Sequence, residues 1–197
     1  MAKEREPEER IYLYSSSHFR KDHHFPQHFN PLFKRSKRFF PPVTYAEPGG
    51  VIDQDLVDEV IERASQVSPR KQVIVINYGD NNIRENERLS DIFPYFSQLL
   101  DRLQDIPFCS VVLTSVVPNF GRDEDTKEDF NSLNNFLKSL CNDNPRAHYL
   151  CIVRRLFVNG NLHQDYFDDA VHLSSKGARI MAEAIHHRLV FLPRITN

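Results

Sequence analysis

Four short stretches carry side chains from which acyl-transfer chemistry can be assembled. They are Ser15-Ser16-Ser17-His18, Glu47-Pro48-Gly49-Gly50, Tyr78-Gly79-Asp80-Asn81-Asn82 and Asp168-Asp169-Ala170-Val171-His172-Leu173-Ser174. A serine hydroxyl is a poor nucleophile until a neutral imidazole can take its proton. That imidazole needs a partner on its other nitrogen to fix tautomer and orientation. Asp169 stands three residues before His172, close enough to reach back across one turn. An attacked carbonyl also develops negative charge, which preorganised N–H donors stabilise. An asparagine amide is one such donor. A backbone amide beside a glycine, where no side chain blocks close approach, is another.

Such groups work only if a scaffold brings them together, and the hydropathy pattern supplies one. Ile11–Tyr14, Val43–Ala46, Val73–Asn77, Val111–Ser115 and Tyr149–Val153 read as strands. The third and fourth are β-branched and apolar on both faces, as in central strands of a sheet covered on both sides. Helical patterns lie between them. Asp53 can cap a helix with Leu56, Val57, Val60, Ile61 and Ala64 on one stripe. A second follows Ser90, and Thr126 with Asp129 forms a capping-box-like start to a third. The last spans about 175–189, with Ile180, Met181, Ile185 and Leu189 inward. Strands alternating with helices predict a three-layer α/β/α sandwich around a mostly parallel sheet of about five strands, in flavodoxin-like order. In such sheets ligands bind beyond the carboxyl ends of the strands. Three of the four stretches directly follow a strand, and the fourth precedes the last helix. Residues 1–9 read as a flexible N-terminus and 10–197 as a single domain.

In this order and spacing, the four stretches resemble the four blocks of the SGNH (GDSL-like) hydrolase superfamily, over about residues 9–190. The resemblance implies that Ser17 is the nucleophile, His172 the base and Asp169 its acid partner. It implies an oxyanion hole made by Ser17, Gly50 (failing that, Gly49) and Asn81, with no cofactor and no metal. The activity implied is a serine esterase cleaving an ester or acetyl ester through an acyl-enzyme. Closest in character are the esterase domains of first-reading-frame proteins of non-LTR retrotransposons. Two departures stand out. Ser15-Ser16 replaces the family's Gly-Asp before the nucleophile, and Asn81-Asn82 replaces Asn-Asp. Each removes a carboxylate that braces the site.

Composition narrows the remaining classes. The chain has 197 residues, 40% of them hydrophobic and 26% charged, as in an ordinary globular protein. No apolar run is long enough to cross a bilayer, and the charged N-terminus lacks a secretory pattern, so a cytoplasmic location is expected. Three widely spaced cysteines suggest buried thiols, not a disulfide framework. The net charge of −2 conceals an asymmetry: residues 18–40 carry +5, which leaves −7 for the rest. That segment holds Arg20, Lys21, Lys34, Arg35, Lys37 and Arg38 among four histidines and six phenylalanines. Cations interleaved with aromatics suit a phosphate backbone with stacked bases, or an anionic lipid surface. A second expectation therefore stands beside the first: a degenerate SGNH-like domain that binds RNA or a protein partner through 18–40. The plain alternative for those phenylalanines is packing in the core.

Overall fold

The structure, a computed structural model, describes residues 9–20, 23–34, 36–66, 71–118, 124–158 and 161–193. Five strands, β1 (Glu9–Ser15), β2 (Val43–Ala46), β3 (Lys71–Asn77), β4 (Cys109–Thr114) and β5 (Ala147–Leu150), form a parallel sheet in the order β2-β1-β3-β4-β5. This is the flavodoxin-like order. The chain leaves β1 for one side of the sheet and returns past it to build the other, which opens a crevice between β1 and β3. Register aligns the strand ends: Ser15 lies opposite Ala46 on one side and Asn77 on the other. The three loops that follow therefore start at the same height.

Alternation within the strands sorts their side chains between two cores. Tyr12, Tyr14, Ile74 and Ile76 face α2 (Gln54–Gln66), α4 (Leu89–Gln104) and α5 (Glu124–Asn142). Ile11, Leu13, Val73 and Val75 face α1 (Phe25–Phe29), α6 (Val153–Leu156) and α7 (Ser175–Val190). The short α3 (Asp80–Arg84) follows β3, and a two-stranded hairpin, β6 (Phe157–Val158) with β7 (Asn161–Leu162), precedes α7. The expected cap at Asp53 is present, its Oδ1 accepting from Leu56 N at 2.9 Å.

Three boundaries differ from the sequence reading. Glu9 is not part of a flexible tail: it opens β1, is buried, and accepts from Arg38 Nε at 3.0 Å. β5 ends at Leu150 because the next amides leave the ladder; Ile152 N and Val153 N both donate to Ser115 Oγ, at 2.8 and 3.0 Å. Thr126 lies inside α5 and does not cap it.

The segment after β1 resolves into core. Phe19, Phe25, Phe29, Phe33 and Phe39 are buried and form a continuous ladder, with successive ring centroids 4.5, 4.8, 4.8 and 5.8 Å apart. These rings pack against the side of the sheet that carries α7. They are not free to stack on bases, contrary to the nucleic-acid expectation. Arg38 is likewise committed, to Glu9 and to the carbonyls of Val190, Leu192 and Pro193. Lys34 and Lys37 are exposed and Arg20 half-buried, while Lys21 and Arg35 lie outside the described residues. Truncating Phe29, the centre of the ladder, should cost about 3–5 kcal/mol. Lys34→Ala should change stability by no more than about 0.5 kcal/mol. Urea denaturation of the two variants checks this, and equal midpoints would contradict a core role for the ladder.

Candidate active site

The turn that carries Ser15, Ser16 and Ser17 begins where β1 ends. Ser15 Oγ accepts from Phe19 N at 3.0 Å and closes the turn. Ser16 is fully buried and donates to Asp80 Oδ1 at 2.9 Å, tying this turn to the start of α3 across the β1/β3 crevice. Ser17 is 7% exposed, and neither its Oγ nor its N–H has a hydrogen-bond partner among the described residues. Beyond it two reverse turns follow, Arg20 N to Ser17 O and His23 N to Arg20 O, both at 3.1 Å. They bring the His23 ring to 5.0 Å from the His172 ring.

His172 sits in a loop stitched to itself. Asp168 N donates to His172 O at 2.9 Å, Phe167 bridges Leu173, and Ser174 N donates to Tyr166 O at 2.9 Å. Inside this loop Asp169 uses both carboxylate oxygens. Oδ1 accepts from the Val171 and His172 amides and Oδ2 meets His172 Nδ1, all at 2.7 Å. The hydrogen bond to His172, reinforced by those two amides, holds the Asp169 carboxyl down at about 2. It is therefore anionic at every pH where an imidazole titrates. Nδ1 of His172 is the proton-bearing nitrogen of that bond, which leaves Nε2 as the base.

The position of this loop depends on α7. Ser174 caps it, accepting from Gly177 N at 3.3 Å while donating to Asp165 O at 2.7 Å. Gly177 is required by contact: a Cβ there would lie 2.1 Å from Tyr166 O. The histidines after β1 grip the same loop, His24 Nε2 to Asp168 Oδ2 at 3.1 Å and His28 Nε2 to Ser175 Oγ at 2.9 Å. Sequence reasoning missed Gly177 and this histidine grip. The i, i+4 spacing of His24 and His28, with both facing α7, was their only visible signal.

The expected oxyanion donors are only partly free. Asn81 Nδ2 donates to Gly50 O at 2.9 Å, so these two residues do meet. Asn81 Oδ1 accepts from Arg84, also at 2.9 Å, leaving one Nδ2 hydrogen unassigned. Gly50 N–H, however, donates to Glu47 O at 3.0 Å and closes a turn with Gly49 at φ +72°. The expected role for that amide is corrected: it holds the turn. Gly79 holds φ +108°, and a Cβ there would lie 2.7 Å from Leu133 Cδ2, so glycine is needed where the chain enters α3.

Both departures from the expected blocks find compensation across a hydrogen bond. Ser16 is met by the carboxylate of Asp80. Asn82 pairs both backbone groups of Ile52, at 2.9 and 3.0 Å, and donates to Glu87 Oε2 at 3.0 Å. Beneath the site His18 is buried, and burial pushes its pKa below the ordinary value, opposed chiefly by Asp80. Cys109 and Cys141 are buried thiols pushed up to about 12, which removes them as nucleophiles; Cys151 is a half-buried free thiol.

A doubly wound sheet with a serine turn after β1 and an Asp–x–x–His loop before the last helix has the architecture of a hydrolase-type α/β domain. The chain belongs to the GDSL-like lipase/acylhydrolase family, whose model matches residues 16–180, and it is a carboxylic ester hydrolase by that membership. No curated protein is significantly similar to it in sequence. Among solved structures it resembles a lipolytic G-D-S-L family protein from Veillonella parvula, with TM-score 0.79, 15% identity, and 93% and 99% of the two chains covered. It also resembles a catalytic mutant of an acetylxylan esterase from Geobacillus stearothermophilus, with TM-score 0.73, 12% identity and 98% of each chain covered. A carbohydrate acetylesterase from Sinorhizobium meliloti aligns with TM-score 0.68 and 10% identity over 92% and 98% of the chains. At these identities the likeness is one of fold.

His18 should make stability depend on pH. Its folded pKa lies below the unfolded value of about 6.5, so the unfolded state takes up the proton first as pH falls. The stabilisation is complete above about 6.5 and is lost toward acid. His148 and His186, also lowered by burial, act in the same direction. Denaturation midpoints should drop between pH 7 and 5, and His18→Gln should flatten that slope without abolishing it. Separately, Gly177→Ala should cost at least about 2 kcal/mol, because a backbone oxygen cannot move aside as a flexible side chain can. A fully stable G177A variant would show that α7 can shift away from the loop.

Proposed function

We propose that the chain hydrolyses a carboxylic ester through Ser17, His172 and Asp169. The observation that carries this reading is the Asp169–His172 pair. Its carboxylate accepts three hydrogen bonds, so the imidazole's Nδ1 is committed and Nε2 is the nitrogen left to take a proton from Ser17 in this reading. In the first step Ser17 Oγ attacks the ester carbonyl and His172 Nε2 takes the hydroxyl proton. The tetrahedral oxyanion is met by Ser17 N–H and the remaining Nδ2 hydrogen of Asn81. Collapse expels the alcohol, which leaves with the proton from His172 and a Ser17 acyl ester behind. Water, deprotonated by the same nitrogen, then releases the acid and restores the serine. Gly50 contributes by anchoring Asn81. His23, packed on the His172 ring, limits its rotation.

Short acyl esters are the substrate class most consistent with this reading, since two structural neighbours are acetylesterases of carbohydrates. The likeness to retrotransposon-borne esterase domains belongs to the same proposal and rests on the spelling of the four blocks. Among the described residues no helix is long and apolar enough to cross a membrane.

A fluorophosphonate probe should label the wild type on Ser17, and Ser17→Ala should abolish labelling. His172→Ala should lower p-nitrophenyl acetate turnover by about 10²–10⁴. Labelling that survives Ser17→Ala but is lost in Ser16→Ala would identify the wrong serine. An unlabelled wild type would overturn the proposal.

A further inference from the structure

Open space at the carboxyl end of the sheet extends beyond the immediate surroundings of Ser17. A cavity of about 320 Å³ lies beside it, between β1, β2 and α2, lined by Tyr14, Tyr45, Glu47, Leu56, Glu59 and Tyr78. A second, of about 330 Å³, shares Glu47, Leu56 and Glu59 and extends along the Gly50 turn to Asp53 and Asp55. The two are therefore contiguous and lead to the loop that anchors Asn81.

Their lining has an unusual balance. It contains four carboxylates, and no Lys, Arg or His lines either cavity among the described residues. The nearest cation, Arg63, is already spent: Nε meets Glu59 Oε1 at 2.9 Å and the guanidinium lies 4.3 Å over the Tyr45 ring. Two phenols point to a ligand independently of the acids. Tyr14 and Tyr78 are 2% and 3% exposed, yet neither hydroxyl has a hydrogen-bond partner among the described residues. Both hydroxyls retain solvent contact, and both residues line this cavity. Burial and the surrounding carboxylates push the Tyr78 hydroxyl upward, the direction expected in a negative field.

Geometry then selects among cations. Tyr45 stacks on Tyr14 at 4.9 Å and carries Arg63, so its ring is not free to form an aromatic cage for a quaternary ammonium. What the cavity offers is oxygen: phenol lone pairs and the carboxylate of Glu47, whose side chain has no ion-pair partner among the described residues. Oxygen acceptors in a negative, partly desolvated cavity suit a group with several N–H donors and a positive charge.

We infer that this cavity binds a primary ammonium group, held by Glu47 and the hydroxyls of Tyr14 and Tyr78. Resting on the hydrolase reading, this makes the substrate an ester whose acyl or alcohol part carries a free amine. Binding can be measured without catalysis. The chain has seven tyrosines and no tryptophan, so tyrosine emission reports the cavity directly. n-Butylammonium should bind saturably and at least tenfold more tightly than tetramethylammonium, 1-butanol or xylose. Glu47→Gln, at an exposed position, should weaken it fivefold or more at an unchanged melting temperature, and Tyr78→Phe should weaken it similarly.

Equal binding of tetramethylammonium would reduce the site to a diffuse field. Tighter binding of xylose would make it a polyol site. An unsaturable titration, or unchanged affinity in Glu47→Gln, would equally overturn the inference. Fluorophosphonate labelling of Ser17 reads the other half separately. Labelling without ammonium binding removes this cavity and leaves the hydrolase; ammonium binding without labelling does the reverse.

Discussion

The bond from Ser16 Oγ to Asp80 Oδ1 crosses the crevice between β1 and β3, where the sheet changes winding direction. Everything chemical in the molecule is arranged around that junction. Parallel pairing alone aligns the strand ends but leaves the loops free to diverge above the sheet. A buried hydroxyl donating to a buried carboxylate fixes them to each other, because separating the pair would leave a desolvated charge unpartnered. Ser17 is the next residue on one side of the bond and Asn81 the next on the other. Ser17 and Asn81 thus inherit their relative placement from one hydrogen bond.

Side-chain amides extend the same logic around the rim. Asn82 grips both backbone groups of Ile52, Asn81 holds Gly50 O, and Asn134 holds Val116 N and O at 2.7 and 2.9 Å. Asn77 links to Thr114 at 2.7 Å, and Ser115 collects the two amides that follow β5. An amide can donate and accept at once, so each grips a loop backbone much as a strand would. A carboxylate at position 82 could accept from Ile52 N but could not donate to Ile52 O. Asparagine there is a working substitution, with the displaced charge carried by Glu87.

The sheet, its order and its helices were legible because they rest on periodicity, and the apolar runs of β3 and β4 are β-branched and buried on both faces. The order of the four blocks directed attention to Ser17, Asn81, Asp169 and His172, of which Asp169 and His172 are hydrogen-bonded to each other. What could not be read were consequences of contacts distant in sequence. Ser16 with Asp80 spans 64 residues, and His28 with Ser175 spans 147. Gly50 was legible as a turn, but not that Glu47 O would occupy its N–H. The phenylalanines of 19–39 misled for the opposite reason. Cations and aromatics alternate there at a spacing that fits an exposed stacking surface as well as a buried ladder, and only the position of α7 decides between them.

That ladder explains how two ends of the chain cooperate. Beyond Ser17, Phe19, Phe25, Phe29, Phe33 and Phe39 descend into the core and pack in the same hydrophobic cluster as α7. Five buried phenylalanines at roughly 1.5–3 kcal/mol each supply far more than the few hydrogen bonds to the loop could. The bonds from His24 and His28 add direction, not strength, since both are exposed. The cationic exterior of the segment is a by-product of this arrangement: its five buried phenylalanines are drawn inward, and Lys34 and Lys37 remain at the surface. On the far side of β1, four carboxylates line the two cavities beside the Gly50 turn. The cationic exterior of the core-building segment and this acidic recess thus lie on opposite sides of β1, within a net charge of −2 that sums +5 from the segment and −7 spread over the rest of the chain.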